Sequence, residues 1–129
     1  NFGAVQAISE TVGAGFDTPH GVANSVFLPY VMDFNIPACP SRFTDVAEAL
    51  GVKREEGMTD EVYALKGVDF VKTLNRQLNI PTLKELKDIP VEMFEKIAAR
   101  SSENVLSNDN ARAIGKEDYL MILNKAYNE

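Results

Sequence analysis

Apolar residues recur along this chain at helical spacing, and no stretch alternates with a period of two. Val5, Ile8 and Val12, with Ala4 and Ala7 beside them, predict a helix over residues 2–12. Gly13 and Gly15 are expected to end it, because glycine takes left-handed dihedrals at little cost. Asp17 or Thr18 can cap the next helix, and Pro19 suits a first turn, where its missing N–H is not needed. Residues 20–34 are apolar on nearly every side, with Val22, Val26, Phe27, Leu28, Tyr30, Val31, Met32 and Phe34. A helix of that pattern belongs in a core, so this segment is the expected hydrophobic hub. Pro29 removes one backbone bond within it and should kink it.

Pro37 and Pro40 break the pattern. Ser41 is then the expected cap of a helix carrying Phe43, Val46, Ala47 and Leu50, which Gly51 closes. Residues 53–57 read as a charged loop. Thr59 caps the longest predicted helix, with Val62, Leu65, Val68, Phe70, Val71, Leu74 and Leu78. Gly67 weakens its middle by up to about 1 kcal/mol relative to alanine. Thr82 and Glu85 form a capping-box pattern that opens a short helix. Pro90 precedes another helix, with Val91, Phe94, Ile97 and Ala98. Residues 101–113 are polar and read as a loop. A last amphipathic helix follows Gly115, with Leu120, Ile122, Leu123 and Ala126. The fold class is therefore all-α, a single compact domain of six or seven helices over residues 1–129.

The length, 129 residues, fits one domain. A net charge of −6, with acids and bases interspersed, argues against nucleic acid as the main ligand. No apolar run is long enough for a transmembrane helix, and no signal-like segment opens the chain. The expected location is cytoplasmic, with no membrane partner. Cys39 is the one cysteine, which excludes an intrachain disulfide and a thiolate metal cluster. The chain opens Asn1-Phe2-Gly3 and enters a helical pattern at once. That suggests a start inside a larger protein, with removal of an initiator Met or leader as the plainer account.

His20 is the one imidazole. It lies at a predicted helix N-terminus, where the dipole favours the neutral form that ligates metals. The plainer reading is a structural histidine satisfied by a cap or carbonyl. Gln6 and Glu10 are one turn apart on one helix face, a carboxylate and an amide oxygen that can contribute to a metal site. The plainer reading is an exposed polar stripe. Ser9, Thr11 and Ser25 sit in no nucleophile elbow. Gly13-Ala14-Gly15 follows a helix, the wrong context for a phosphate loop.

The stretch from Gly13 through Pro19-His20-Gly21-Val22-Ala23-Asn24 to Leu28-Pro29, Val31-Met32 and Phe34-Asn35 resembles the metal-binding region of the iron-containing (group III) alcohol dehydrogenases. Phe43-Thr44-Asp45-Val46-Ala47, Asn110-Ala111-Arg112, Lys116-Glu117-Asp118 and Ala126-Tyr127 resemble later parts of the same helical C-terminal domain. The resemblance spans essentially the whole chain. It implies a parent oxidoreductase that interconverts an alcohol with an aldehyde or ketone. In such a parent, NAD or NADP is bound by an N-terminal nucleotide-binding domain that this chain lacks. Iron or zinc between the domains polarises the substrate oxygen. His20 matches a family metal ligand. The family's His-x-x-x-His pair falls on Gln6, where a ligand histidine is expected, and on Glu10, where the family has a histidine near nicotinamide and substrate. The resemblance therefore implies a partly degraded metal site, and weak metal binding by this chain alone. The alternative is a standalone, non-catalytic helical binding or scaffold domain derived from that family. A patch left without its partner domain would then be open to self-association as a homo-oligomer.

Overall fold

The computed structural model describes residues 3–16, 18–86 and 89–129. These form six α-helices: α1 (Gly3–Gly15), α2 (His20–Asn35), α3 (Pro40–Ala49), α4 (Asp60–Gln77), α5 (Phe94–Glu103) and α6 (Lys116–Asn128). Short 3-10 turns lie at Ile36–Ala38, Leu83–Glu85, Val91–Met93 and Val105–Asp109. There is no β-strand among the described residues. No helix among them is long and apolar enough to cross a membrane.

The expected hub is the hub found. α2 feeds two cores. Ala23, Val26, Phe27, Val31 and Phe34 join α1, α5 and α6 in the larger one, around Ile8, Ile97, Tyr119 and Leu123. Met32 joins Phe43 of α3 with Ala64, Val68 and Val71 of α4 in the smaller one. A helix apolar on nearly all sides can serve two cores because it presents no wide polar face to water.

Several local expectations change in the structure. α1 runs through Gly13 to Gly15, since no left-handed turn is taken at either glycine. Neither Thr18 nor Ser41 caps a helix. Pro19 and Cys39 occupy those cap positions without side-chain bonds, and Ser41 lies inside α3. The cap proposed for Asp17 and the start at Phe2 lie outside the described residues. The capping box at Thr82 and Glu85 is present, yet it opens one 3-10 turn and no longer helix. Residues 101–113 are not plain loop. α5 extends to Glu103, and a 3-10 turn follows. Ser107 explains why this polar stretch is ordered: its hydroxyl bonds the Ser101 carbonyl at 2.6 Å and the buried Tyr119 hydroxyl at 2.6 Å.

Two glycines mark close approaches. A Cβ on Gly3 would lie 2.1 Å from the Leu106 carbonyl oxygen, so only glycine lets α1 start against that turn. A Cβ on Gly67 would meet Ala47 Cβ at 3.1 Å, so this glycine sets how closely α3 and α4 pack. Gly51, at φ 85°, ends α3 as expected.

The end of α2 is tied down by polar groups. Asn35 is fully buried. Its amide and that of Asn110 exchange two bonds, at 3.0 and 2.7 Å. Asn110 also donates to the Arg112 carbonyl, and Arg112 donates to the Phe34 carbonyl at 2.9 Å. Its guanidinium lies 4.3 Å from the centre of the Phe34 ring. The resemblance of Asn110-Ala111-Arg112 to a family segment thus has a physical content, a clamp on the hub helix.

Candidate functional site

α1 and α2 are joined by residues 16–19 and pack against one another, as a short connection between helices dictates. Between them lies a cavity of about 230 Å³, lined by Val5, Gln6, Asn24, Ser25 and Leu28. Gln6 reaches it because Ala4, Ile8 and Val12 bury the other side of α1. Asn24 reaches it from α2, one turn after His20 on the same side of the helix.

The Asn24 Oδ1 atom is buried and has no hydrogen-bond partner. A buried acceptor left unmade costs about 1–3 kcal/mol, so such groups are rare and call for an explanation. Ser25 does not supply the missing donor, because its hydroxyl bonds the Gly21 carbonyl at 3.0 Å. The cavity therefore has the Asn24 side chain on one wall, with its Oδ1 atom buried behind that wall, Gln6 on the other, and apolar surface from Val5 and Leu28 between them.

Of the residues singled out in the sequence, Gln6 lines this cavity. Glu10 and His20 do not line it; both are exposed at the surface. His20 starts α2 with an exposed side chain that makes no hydrogen bond to another described residue, so it is not a core histidine. Asn24 was visible in the Pro-His-Gly-x-x-Asn run. The signal that it matters is a polar amide in an otherwise apolar segment, and its orphaned oxygen appears only in three dimensions.

The donors present do not make a metal site by themselves. They are one imidazole, one carboxylate and the amides of Gln6 and Asn24, and amides are weak ligands for iron or zinc. Among the described residues no group of three or more His, Cys, Asp or Glu side chains could hold a metal ion.

A second cavity, about 350 Å³, lies on the opposite side of α2, lined in part by Tyr30, Lys72, Arg76 and Glu129. No motif in the sequence pointed to it, because its residues are far apart along the chain.

The C-terminal part of the Fe-containing alcohol dehydrogenase family matches residues 1–127. Over 127 residues the chain is 34% identical to the lactaldehyde reductase of Escherichia coli (strain K12), covering 97% of this chain and 32% of that protein. It is 30% identical over 124 residues to the NAD-dependent methanol dehydrogenase of Bacillus methanolicus, covering 96% of this chain and 32% of that protein. The solved structure of an alcohol dehydrogenase from Oenococcus oeni superposes with a TM-score of 0.88 at 29% identity, covering 95% of this chain and 32% of that one. The chain thus spans about a third of the length of the curated relatives it matches. With its all-helical fold and the match over nearly every residue, the chain belongs to the Fe-containing alcohol dehydrogenase family and corresponds to that family's C-terminal region.

Proposed function

We propose that this chain is the helical C-terminal domain of an oxidoreductase that interconverts a small alcohol with its aldehyde or ketone, using NAD or NADP. The observation that supports it best is the family match over residues 1–127. In this reading the nicotinamide cofactor belongs to an N-terminal nucleotide-binding domain outside this chain. A cytoplasmic location goes with it, because the reaction draws on the nicotinamide pool.

The part assigned to this chain is substrate binding along α1 and α2. The Asn24 side chain turns its carbonyl oxygen, buried and unpartnered in the free chain, toward the cavity to accept the hydroxyl proton of the alcohol. The Gln6 amide lies on the facing wall and fixes the orientation of that oxygen. Val5 and Leu28 cover the carbon chain and exclude water. The small, mostly apolar cavity suits a short alcohol better than a sugar. His20 and Glu10 flank this surface. Iron or zinc in the intact enzyme would take its further donors from outside this chain, with His20 as the imidazole and Gln6 or Glu10 at the edge of the shell.

The test begins with the native product, captured with an antibody to this segment and weighed intact. It is then assayed with short primary alcohols and NAD or NADP, following absorbance of the reduced nicotinamide. Turnover in a species well above 14.2 kDa, the mass of this chain, is the expected result. Asn24→Leu should raise KM for the alcohol more than it lowers kcat. A product of 14.2 kDa without turnover would overturn the reading in favour of a standalone binding domain.

A further inference from the structure

The larger cavity is built differently from the one beside Gln6. Val26, Pro29, Ile80, Pro81 and Leu83 give it apolar walls, and Lys72 and Arg76 bring two cations to its rim from one face of α4. The Lys72 side chain is only 19% exposed. Its ammonium lies 4.8 Å from the centre of the Tyr30 ring and 2.5 Å from the Glu129 carboxylate. With its stem mostly buried, Lys72 holds its ammonium in one place, against the Glu129 carboxylate. Arg76 spends one donor on the Thr73 hydroxyl at 3.1 Å, and among the described residues the rest of its planar fork has no side-chain partner, leaving it to a carboxylate.

We propose that this cavity binds a small organic carboxylate with a short apolar chain. Its head group sits between Lys72 and Arg76, in place of the Glu129 side chain, and its tail lies on Ile80 and Pro81. Glu129 shows that a carboxylate fits against Lys72, and it acts as an internal competitor. Three features agree with an anion at this place. The pocket has the size of small-molecule sites. Among the described residues its only acidic lining residue is the one already paired with the lysine. Asn75, on the same wall, is committed to the Ser25 carbonyl at 2.8 Å, which holds α4 in position against α2. Tyr30 titrates above the usual tyrosine range, chiefly because it is buried and then because Glu129 is near, with Arg76 opposing. An incoming carboxylate that replaces Glu129 keeps that balance of charge.

The test is a titration of the full 129-residue chain with hexanoate, read by backbone amide shifts in NMR. Acetate serves as the headgroup alone and hexanol as the tail alone. Saturable shifts at Lys72, Arg76, Ile80 and Thr82 are expected with hexanoate. Acetate should bind about tenfold or more weakly, since it lacks most of the buried methylenes. Hexanol should bind weakly for want of a charge. Lys72→Met and Arg76→Gln should each weaken hexanoate by about tenfold. Glu129→Gln should tighten it, because the competitor is gone. Arg76 is exposed, so its variant reads binding even if Lys72→Met fails to fold. Absence of saturable shifts in the Glu129→Gln chain would overturn the proposal. So would hexanoate binding that neither cation variant weakens.

Discussion

The side-chain amide of Asn75 on α4 donates to the main-chain oxygen of Ser25 on α2 at 2.8 Å. That oxygen would ordinarily accept from the N–H of residue 29, but residue 29 is proline and has none. The gap that Pro29 opens in the ladder of α2 is closed by a side chain fifty residues later in the chain. α2 therefore stays helical through its proline, and α4 is held at a defined place along it.

Asn75→Ala should destabilise the fold by about 1–2 kcal/mol, the cost of leaving that carbonyl unmade. In a Pro29→Ala background the helix regains its own donor, and the Asn75→Ala cost should shrink. A double-mutant cycle by chemical denaturation measures the coupling. Equal costs in both backgrounds would mean that Asn75 acts through packing alone.

Three glycine-to-alanine changes should separate cleanly. Gly13 lies in α1 with open space where a Cβ would go, so alanine there should stabilise by up to about 1 kcal/mol. At Gly67 the same propensity gain is opposed by contact with Ala47, a neighbour with no rotamer to move. Its net effect should be destabilising, within the usual overpacking cost of about 1–3 kcal/mol. At Gly3 the Leu106 carbonyl stands in the way, and Gly3→Ala should be the worst of the three. Thermal midpoints give the order directly.

Asn110→Ala strips the buried Asn35 amide of its reciprocal partner. The expected loss is about 2–3 kcal/mol, with faster amide exchange at the end of α2. Asn110→Asp keeps the acceptor and loses the donor, so it should be intermediate at neutral pH.

Tyr119 titrates above the ordinary tyrosine range because it is buried, with its bond to Ser107 opposing in part. The folded state therefore holds this proton more tightly than the unfolded one. The resulting stability is present below the unfolded value near 10 and is lost as pH rises through the folded value. Denaturation midpoints should fall in that alkaline window, and Tyr119→Phe should flatten the fall. A slope unchanged in the variant would assign the alkaline loss to other groups.

Replacing both Gln6 and Glu10 with histidine tests their placement beside His20. If the three positions face one ion, zinc affinity measured by calorimetry should rise by at least about tenfold, and His20→Ala should abolish the gain. Unchanged binding would place Gln6 and Glu10 away from His20.

Much of the fold was legible because burial follows local spacing. The apolar stripe of α1, the all-round apolar α2, the Thr59 cap and the capping box at Thr82 are statements about neighbours within a turn, and the structure keeps them. Ends of helices were less legible. Gly13 permits a left-handed turn but does not demand one, and packing of α1 carries the helix past it. The polar residues 101–113 read as loop because their hydroxyl and amide partners, Tyr119 and Asn35, lie elsewhere in the chain.

By itself the sequence determined an all-helical domain with its hub at residues 20–34, and a family resemblance centred on His20. It also determined that this stretch has a single imidazole to offer. Tertiary structure alone decided that Asn24 holds an unpaired buried oxygen, that Gln6 shares its cavity while Glu10 and His20 stand outside it, and that Lys72, Arg76 and Glu129 meet around Tyr30. The physical reason is range. Helical periodicity is set by bonds between residues four apart, whereas a cavity is defined by surfaces that meet only after every helix has packed.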